Sequence, residues 1–398
     1  MKILMVNKYL YVVGGAEKYM FSLGDELKKQ GNEVQYFGIA SSKNIAGNDW
    51  NITAKCFENS FAQKINFHSI VYSNSAKKSM DRLLDLYQPD LIHLNNINYQ
   101  LTPSIIYSAK ERKIPVVWTL HDSQLVCPSH RMYLEKKNKM CFSCLSGDFH
   151  FCIKNKCLGN SYIKSIIGFE EAKRYHKKDI IYNYVSFFIC PSKALCELVS
   201  TFLGKKKTIV IQNFADINYP KSIQKEDYFL YFGRLSKEKG ILTLLKALPA
   251  GVKLLIAGNG PLEAEILEAQ KSNPLIHFIG FKTGKELSEI ISKAICTIYP
   301  SEWFENCPLS IIESLYCKTP VIGSNIGGIP ELIENKKNGL LFNPGDVNDL
   351  NDKIKEMKMN LSLRQKMYTN LANFSFPDVS SYCRDLMQVY LSLLKLKK

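Results

Sequence analysis

The chain has 398 residues, of which 46% are hydrophobic, and it carries a formal net charge of +15 at neutral pH. This length exceeds what one ordinary hydrophobic core accommodates, and the apolar content excludes a disordered chain, so we predict two globular domains. No run of about 18 uninterrupted apolar residues occurs, which excludes a membrane-spanning helix on sequence grounds. The first apolar stretch leads into Gly14 and Gly15 rather than a cleavage site, which predicts a cytoplasmic protein.

The positive charge is concentrated in one part of the chain. Residues 101–200 hold 15 Lys and Arg against 8 Asp and Glu, whereas residues 301–350 hold 3 against 7. A basic region favours an anionic partner, namely a phosphorylated substrate, anionic lipid or nucleic acid, and a lysine-rich solvated surface is the alternative explanation. The sequence has no helix-turn-helix or RNP signature, so nucleic-acid binding is the least favoured of these partners.

The first half of the chain predicts alternating strands and helices. Lys2–Val6 is a short apolar run, typical of a strand buried on both faces. A helical pattern that stops at Gly31 and a second strand at Glu33–Phe37 follow it. Further strands are predicted at Leu91–Leu94, Val116–Leu120, Phe187–Cys190 and Thr208–Gln212.

The second half repeats this alternation, which predicts two doubly wound parallel α/β sheets. Its predicted strands are Tyr228–Phe232, Leu254–Ala257, Ile276–Ile279, Cys296–Tyr299, Val321–Ile322 and Leu340–Phe342. The polar segment 213–227 is the best linker candidate, so the predicted domains are residues 1–212 and 227–376. The amphipathic stretch 377–398 predicts a C-terminal helix that returns to the first domain.

A basic loop follows the first predicted strand of the second half. Arg234 and Lys239 lie on this loop, where it enters a helix. A guanidinium fork and an ammonium beside a helix N-terminus suit a diphosphate. A solvated basic turn would be the simpler explanation if this loop stood alone.

Two further loops on the same predicted sheet edge favour a ligand site. Gly258, Asn259 and Gly260 follow the next strand, and the glycines permit close approach of a backbone. Ile279 and Phe281 lie at the following strand end, where backbone groups could read the edge of a base. Glycine turns after strands are common, so either loop alone is weak evidence for a ligand site.

Two glutamates eight positions apart, Glu305 and Glu313, flank the start of a helix predicted near Pro308. Amides at Cys307–Ser310 would donate to phosphate or sugar oxygens, and Glu313 would accept from ribose hydroxyls. We interpret the pair as a clamp for a hydroxyl-rich ligand rather than an acid/base dyad. Two surface glutamates at a helix start, where carboxylates are electrostatically favoured, are the alternative.

Together these motifs resemble the family 4 retaining glycosyltransferases, whose GT-B fold has two Rossmann-like domains facing a cleft. The motifs are "GRLSKEKGI", "AGNGP", "FENCPLSIIES", "KTPVIGSNIGGIPELI", "GGAE" at Gly14–Glu17 and "TLHDS" at Thr119–Ser123. The resemblance implies a hexosyltransferase that moves a sugar, with retention, from a UDP- or GDP-linked donor to a saccharide or polyprenyl-diphosphate-linked acceptor in cell-surface polysaccharide biosynthesis. A nucleotide-sugar epimerase or another GT-B enzyme is the alternative function.

The resemblance also implies roles for individual residues, and no cofactor for catalysis. Arg234 and Lys239 would hold the diphosphate and stabilise it as it leaves, Glu305 would hold the donor sugar, and His121 would contact the sugar beside the acceptor. These four are the predicted catalytic residues, although a structural role is the alternative for His121. The implied donor-binding positions also include Gly14, Gly15, Gly258, Asn259, Gly260, Ile279, Phe281, Asn306, Cys307, Pro308, Leu309, Ser310 and Glu313. Asn306 replaces the family's usual glycine.

Five cysteines lie in residues 127–157, which the resemblance marks as an insertion of a bacterial polysaccharide-building type. Cys141 and Cys144 have the spacing of a zinc knuckle, and Cys127 and Cys157 would complete a tetrahedral structural zinc site, with Cys152 as the reserve ligand. A loop of reduced thiols is the alternative.

Basic and apolar residues alternate through residues 154–178, which predicts peripheral contact with the inner face of the plasma membrane. A solvated helix face is the alternative. The residues concerned are Lys154, Lys156, Lys164, Ile166, Ile167, Phe169, Lys173, Arg174, Tyr175, Lys177 and Lys178.

Overall fold

The structure is a computed structural model that describes residues 1–45, 52–54, 71–176, 181–214, 216, 224–373 and 376–395. The chain divides into two compact units. Unit 1 comprises Met1–Met132, Cys141–Gln212 and Val379–Lys398, and unit 2 comprises Tyr133–Met140 and Asn213–Asp378.

A six-stranded parallel sheet forms the centre of unit 1, in the order β2-β1-β3-β4-β7-β8. Its strands are β1 (Lys2–Val6), β2 (Glu33–Phe37), β3 (Leu91–Leu94), β4 (Val116–Thr119), β7 (Phe187–Cys190) and β8 (Thr208–Val210). The inner strands are short runs of β-branched and other apolar residues that are almost fully buried, as expected of a parallel sheet covered by helices.

The helices of unit 1 follow the strands in the alternation that the sequence predicts. They are α1 (Gly15–Lys29), α2 (Asn74–Tyr87), α3 (Ser104–Glu111), α4 (His150–Lys154), α5 (Tyr162–His176), α6 (Ile181–Tyr184) and α7 (Lys193–Leu203). Serine caps begin two of them: the Ser73 hydroxyl accepts from the Ala76 amide of α2, and the Ser192 hydroxyl accepts from the Leu195 amide of α7. Each cap satisfies a backbone donor that the first helical turn leaves open.

A short antiparallel hairpin lies within the cysteine-bearing segment. Its strands are β5 (Tyr133–Leu134) and β6 (Lys139–Met140), joined through a 3-10 turn at Glu135–Lys137. The hairpin belongs to unit 2, whereas the sequence assigned all of residues 127–157 to the first domain. The physical reason is that Met140 packs against an apolar cluster of unit 2.

Unit 2 is built around a second six-stranded parallel sheet, in the order β11-β10-β9-β12-β13-β14. Its strands are β9 (Phe229–Phe232), β10 (Leu254–Ala257), β11 (Ile276–Phe278), β12 (Cys296–Tyr299), β13 (Val321–Ser324) and β14 (Gly339–Phe342). Its helices are α8 (Ile241–Ala247), α9 (Glu263–Ser272), α10 (Gly284–Lys293), α11 (Leu309–Tyr316), α12 (Ile329–Leu332), α13 (Val347–Met359) and α14 (Leu361–Ala372). The prediction of two parallel α/β sheets is confirmed.

The last described helix, α15 (Val379–Lys395), lies in unit 1. It packs beside α1, where the hydroxyls of Tyr19 and Tyr382 share a hydrogen bond of 2.6 Å and the Cys383 thiol donates to the Gln30 side chain. Segments from opposite ends of the chain therefore share one core.

Each sheet has a point at which the strand order reverses. This switch point lies between β1 and β3 in unit 1 and between β9 and β12 in unit 2. Ligands of open parallel α/β sheets bind beyond the carboxyl ends of the strands at such points. A ligand site is therefore expected among the loops that follow these four strands.

Candidate functional site

The two loops at the switch point of unit 2 meet through a lysine and a glutamate. Lys239 follows β9 and Glu305 follows β12, and the ammonium Nζ donates to Glu305 Oε1 at 2.6 Å. Ser301, Tyr299 and Trp303 donate to the same carboxylate oxygen at 2.7, 3.0 and 2.5 Å. The carboxylate is buried, and four donors fix its position.

Aromatic rings accompany this ion pair. Lys239 Nζ lies 4.9 Å from the centroid of the Trp303 ring and 5.4 Å from that of Tyr299. A desolvated ammonium is attracted to the faces of such rings. Burial and the charge of Glu305 raise the pKa of Tyr299 far above its ordinary value, so its hydroxyl remains a donor.

Two glycines with positive φ allow the loops to approach this closely. A Cβ at Gly240, where φ is +69°, would lie 1.8 Å from the carbonyl oxygen of Pro300. A Cβ at Gly327, where φ is +56°, would lie 2.1 Å from the carbonyl oxygen of Glu305. The glycine that follows Lys239 and the Gly-Gly pair near residue 327 are therefore sequence signals of this site.

Arg234 lies on the same loop as Lys239, and its side chain is exposed. Its carbonyl oxygen is held by the Tyr231 hydroxyl at 2.7 Å and by the Ser236 amide at 3.1 Å. The backbone is thus fixed while the guanidinium remains in solvent. The structure brings Arg234 and Lys239 onto one loop at the carboxyl end of β9, as the sequence predicts.

The glycines of the second predicted loop serve contacts within the protein. A Cβ at Gly258 would lie 1.9 Å from the Gly233 carbonyl oxygen, and one at Gly260 would lie 2.4 Å from that of Leu235. The Leu235 amide also donates to the Asn259 carbonyl at 2.8 Å, and the Asn259 side chain is exposed. The Gly258–Gly260 loop therefore packs against the backbone on both sides of Arg234, at Gly233 and Leu235.

The remaining predicted donor positions of unit 2 differ in exposure. The Phe281 ring is 65% exposed and open to a ligand, whereas the Ile279 side chain packs partly against an apolar cluster. Glu313 is buried on α11, about one helical turn after the helix begins at Leu309.

The start of α11 contains the predicted amide donors. Pro308 is the N-cap, and Leu309 and Ser310 form the first helical positions after Asn306 and Cys307. The Cys307 side chain is buried in the apolar cluster with Tyr299, and burial raises the pKa of its thiol to about 12. Cys307 can therefore contribute to a ligand only through its backbone.

In unit 1, Gly14 and Gly15 begin α1 beyond the carboxyl end of β1. Both glycines are exposed. The buried carboxylate of Glu17 accepts from the Gly14 amide at 3.0 Å and from the Asn7 side chain at 3.1 Å. One amide of these two predicted donor-binding positions is thus occupied by the chain's own glutamate.

His121 lies beyond β4 in a defined tautomer. The Asn95 side-chain amide donates to the Val6 carbonyl at 3.3 Å, so its oxygen faces His121 and accepts from Nε2 at 2.8 Å. Tyr19 contacts the imidazole edge-on, with ring centroids 4.9 Å apart. Burial lowers the pKa of His121 to about 3, so the ring is neutral near pH 7 and offers Nδ1 as an acceptor.

A second buried histidine lies beneath this region. Both ring nitrogens of His93 form hydrogen bonds. Nε2 bonds to the Thr119 hydroxyl at 2.7 Å, and Nδ1 bonds to the Tyr390 hydroxyl of α15. Thr119 also contacts the Tyr19 hydroxyl at 3.2 Å. Helix α15 therefore takes part in the polar network under His121.

A chain of polar side chains that no local sequence motif predicts lies at the switch point of unit 1. Lys8 donates to Asn98 Oδ1 at 2.8 Å, so Asn98 Nδ2 donates to His130 Nδ1 at 2.8 Å and His130 Nε2 donates to Glu171 at 3.2 Å. Burial lowers the pKa of His130, but the bond to Glu171 and the charge of nearby Asp122 outweigh burial and raise that pKa above its ordinary value. A histidine in "CPSHRMY" was the only signal, and its partners lie far away in sequence.

The cysteines of the predicted zinc site lie near one another. Burial raises the pKa of Cys144 to about 12, and the thiols of Cys127, Cys157 and Cys141 add to this rise electrostatically. Cys152 is fully buried and hydrogen-bonds with Cys157, which raises the pKa of Cys152 and lowers that of Cys157. In the described part of the chain, no three His, Cys, Asp or Glu side chains converge on a point that could hold a metal ion, so the zinc site stays a prediction.

The predicted membrane-facing segment has an exposed apolar face on α5. Tyr162, Ile163 and Ile166 are exposed beside Lys164, whereas Tyr175 is buried and does not belong to this face. Lys177 and Lys178 lie outside the described residues. Of the helices that the structure describes, none combines the length and the apolar character needed to cross a membrane.

Two family models match the chain. The model described as Glycosyltransferase Family 4 matches residues 13–219, just over half of its length. The chain belongs to glycosyltransferase family 4. A second model, described as Glycosyl transferases group 1, matches residues 214–374 of this family 4 chain.

Individual relatives agree with the family. The chain is 28% identical over 190 residues to an uncharacterized glycosyltransferase of Methanocaldococcus jannaschii, a match that covers 47% of this chain and 54% of that protein, about half of its length. It is 25% identical over 372 residues to the alpha-monoglucosyldiacylglycerol synthase of Streptococcus pneumoniae, covering 85% of this chain and 74% of that protein.

The fold is also found among solved structures. HepE of Anabaena in complex with UDP and glucose is similar with a TM-score of 0.67 and 17% identity, over 98% of this chain and all of that chain. A sucrose-phosphate synthase from Thermosynechococcus elongatus is similar with a TM-score of 0.73 and 17% identity, over 99% of both chains. The predicted GT-B fold class of this family 4 chain is confirmed.

Proposed function

We propose that this chain is a retaining glycosyltransferase that takes its sugar from a nucleotide diphosphate bound at the switch point of unit 2. The observation that carries the proposal is Lys239, a partly buried ammonium held by the buried carboxylate of Glu305 ahead of the start of α11. The exposed guanidinium of Arg234 lies on the same loop. Two cations and a set of helix amides suit a diphosphate.

The chemistry of transfer fits this arrangement. As the bond between the anomeric carbon and the diphosphate breaks, negative charge develops on the phosphate oxygen, and Lys239 and Arg234 would stabilise it. Glu305 Oε1 already accepts four hydrogen bonds, which makes that oxygen a poor nucleophile. We therefore favour attack by the acceptor hydroxyl on the face from which the diphosphate departs. The new glycosidic bond forms as the bond to the phosphate oxygen breaks, and the hydroxyl proton passes to that departing oxygen, so the configuration is retained and no metal cofactor is needed.

The other residues take supporting roles in this proposal. Glu313 would accept from the ribose hydroxyls, and the exposed Phe281 would lie against the base. His121, neutral with Nδ1 as an acceptor, would bind a sugar hydroxyl. Of the two glycines of unit 1, only Gly15 would donate its amide to an anionic group, because the Gly14 amide already donates to Glu17. UDP is the first nucleotide to test, because HepE, which shares the fold, is named in complex with UDP, and GDP is the second.

A thermal-shift screen of UDP- and GDP-linked sugars tests the donor site. Stabilisation of the wild-type chain is expected to disappear in Arg234→Ala and in Glu313→Ala. Lys271→Ala, on the exposed face of α9, is the control and should keep the full shift. If Arg234→Ala and Glu313→Ala both retain the ligand-induced shift, the donor site is wrong.

Product analysis distinguishes the enzyme classes. A transferase yields free nucleotide and a new glycosidic bond whose anomeric configuration, read by NMR, matches that of the donor. Interconversion of free nucleotide sugars without transfer would favour an epimerase instead. The same assay with saccharide and polyprenyl-diphosphate-linked acceptors identifies the acceptor class.

A lipid-linked acceptor at the inner face of the plasma membrane, within cell-surface polysaccharide biosynthesis, is the proposed setting. The support is the face of α5 that exposes Tyr162, Ile163 and Ile166 beside Lys164. Sedimentation with anionic vesicles should carry the wild-type chain down and leave Ile163→Ser in solution. Leu361→Ser, equally exposed in unit 2, is the control, and binding that ignores anionic lipid content would remove the proposal.

Structural zinc on Cys127, Cys141, Cys144 and Cys157 is also proposed, because Cys141 and Cys144 have the spacing of a zinc knuckle and the other two thiols belong to the same segment. Zinc would hold the cysteine segment together without entering the reaction. Elemental analysis of the purified chain should give one zinc per chain, and Cys144→Ser should lose it. A wild-type chain free of zinc with titratable thiols would favour the loop of reduced cysteines.

A further inference from the structure

A second glutamate of the donor-site loop has no role in the site described so far. Glu302 lies between Ser301 and Trp303, both of which donate to Glu305. Its side chain is buried, being 8% exposed. A carboxylate that leaves water must find other donors, so its partners show what it holds in place.

Those partners are neutral donors from two different elements. Thr243 of α8 donates to Glu302 Oε1 at 2.5 Å, and Asn138 of the hairpin donates to Oε2 at 2.5 Å. The Tyr133 hydroxyl in turn donates to Asn138 Oδ1 at 2.5 Å. Hydrogen bonds to a charged acceptor are among the stronger ones, so this chain fixes the hairpin turn and the Glu302 side chain to each other.

Apolar contacts seat the hairpin on the same region. Met140 packs against the cluster that contains Tyr299 and Cys307, and Tyr133 is almost fully buried. Burial and the charge of Glu302 raise the pKa of Tyr133, which keeps its hydroxyl protonated and able to donate. The hairpin is thus held from one side by packing and from the other by hydrogen bonds.

The backbone next to Glu302 connects the loop of Lys239 with the loop of Glu305. The Glu302 amide donates to the Glu238 carbonyl at 2.9 Å, and Glu238 directly precedes Lys239. The neighbouring Ser301 hydroxyl donates to Glu305 at 2.7 Å. A shift of Glu302 would therefore displace the lysine and its carboxylate partner together.

We propose that the hairpin Tyr133–Met140 is a positioning element of the donor site, and that Asn138 acts through Glu302 to fix the Lys239–Glu305 pair. The inference rests on the proposed function, since it assigns the cysteine-bearing segment a task in donor binding. Asn138 and Glu302 are positioning residues in this proposal and do not contact the reacting atoms. The hairpin is part of the cysteine-bearing segment 127–157, so this proposal gives that segment a role in the reaction.

An exchange of donor and acceptor tests the proposal. Asn138→Asp sets two carboxylates against each other, and we expect weaker nucleotide binding and slower turnover, by about tenfold or more. Glu302→Gln in the Asn138→Asp background restores an amide that donates to a carboxylate, with the polarity reversed. In the double variant, nucleotide binding and turnover should return most of the way to wild-type values. If Asn138 contributed only to overall stability, the second substitution would not restore them.

The measurements are calorimetric binding of UDP and GDP, and the rate of UDP release from UDP-glucose or GDP release from GDP-mannose. Asn351→Asp is the matched control, because the Asn351 side chain donates to the Ala247 carbonyl at 2.8 Å elsewhere in unit 2. It should lower thermal stability while KM and kcat stay at wild-type values.

The outcomes separate this inference from the proposed function. Arg234→Ala is measured in parallel, and if it binds UDP and GDP as the wild type does, or if the wild type binds neither, the donor site itself is wrong. If Arg234→Ala loses binding but folded Asn138→Asp binds and turns over normally, only the positioning role is overturned. The positioning role is also overturned if the double variant binds and turns over as poorly as Asn138→Asp. The hydrogen bond between the two side chains would then not be the cause of the lost binding and turnover.

Discussion

The arrangement around Lys239 is the feature that most restricts the chemistry. The ammonium is paired with Glu305 and flanked by Trp303 and Tyr299, so its position is fixed before any ligand arrives. A charge that is already oriented needs little reorganisation when a diphosphate leaves, which is the usual source of electrostatic catalysis. Glu305 thus acts here by holding the lysine.

Replacing this lysine should affect both stability and binding. Lys239→Met leaves Glu305 buried with three of its four donors, so we expect the free energy of unfolding to fall by about 1–3 kcal/mol. Nucleotide binding should fall below detection in calorimetry. Lys271→Met, whose ammonium is exposed, should change neither quantity, and wild-type affinity in Lys239→Met would contradict the assignment.

His93 should give the chain a defined sensitivity to acid. Burial, with a smaller contribution from His121, lowers the pKa of His93 from 6.5 to about 3. Between these values the unfolded chain binds a proton that the folded chain does not, so stability falls as the pH decreases through this window. The loss reaches about 2 kcal/mol near pH 5 and vanishes above the unfolded pKa.

Urea denaturation of His93→Gln at several pH values measures this contribution. The variant should lose part of the pH slope whatever its absolute stability. Tyr390→Phe, which removes a hydroxyl partner and keeps the imidazole, should retain the slope. An unchanged slope in His93→Gln would show that another group is responsible.

At the scale of residues, the sequence predicted the members of the site that lie in local motifs. Arg234, Lys239 and Glu305 follow strands and belong to recognisable loops, and the structure brings the last two together. The contact between Asn138 and Glu302 could not be predicted from the sequence. The two residues are 164 positions apart, and neither local pattern indicates the other as a partner. The four donors to Glu305 were likewise out of reach, since they depend on how two loops pack.

At the scale of elements, the loop after β9 should tolerate no side chain at its end. Gly240→Ala combines a left-handed backbone with a Cβ 1.8 Å from the Pro300 carbonyl, whereas Gly251→Ala has a similar φ of +76° and open space around it. We expect Gly240→Ala to cost about 2 kcal/mol more in unfolding free energy, because only this variant adds a clash. Equal losses in the two variants would mean that the loops can separate without cost.

Helix α15 should stabilise unit 1 through its buried tyrosines. Tyr382→Phe removes the hydroxyl that bonds to Tyr19, and we expect a loss of about 1–2 kcal/mol in unfolding free energy. Tyr162→Phe, on the exposed face of α5, should lie within error of the wild type. Urea denaturation of the two variants makes the comparison, and a loss of equal size in both would contradict a specific role for α15.

The strands were predictable because each is a short apolar run that a parallel sheet buries on both faces. Runs such as Leu91–Leu94 and Cys296–Tyr299 therefore begin and end where the sequence indicated. The hairpin was not predictable, since strands of two residues leave no period to detect. Its association with unit 2 depends on Met140 and Asn138, which local patterns do not distinguish from other loop residues.

At the scale of the whole molecule, the net charge of +15 should make lipid binding sensitive to salt. If the face on α5 meets anionic lipid, vesicle sedimentation should weaken steeply as the screening length falls from about 30 Å at 0.01 M to about 3 Å at 1 M salt. Uncharged vesicles should show weak binding at every concentration. Binding to anionic vesicles that persists unchanged at high salt would assign the contact to apolar side chains alone.

The placement of tryptophans gives each unit its own optical reporter. Of the three tryptophans in the chain, Trp50 lies outside the described residues, Trp118 is fully buried in unit 1, and Trp303 lies beside Lys239 in unit 2. The fluorescence of Trp118 should report the unfolding of unit 1. The fluorescence of Trp303 should report nucleotide binding beside Lys239. Replacing Trp50 together with either Trp118 or Trp303 by phenylalanine leaves one indole, so that unfolding of unit 1 and binding at Lys239 can be measured separately.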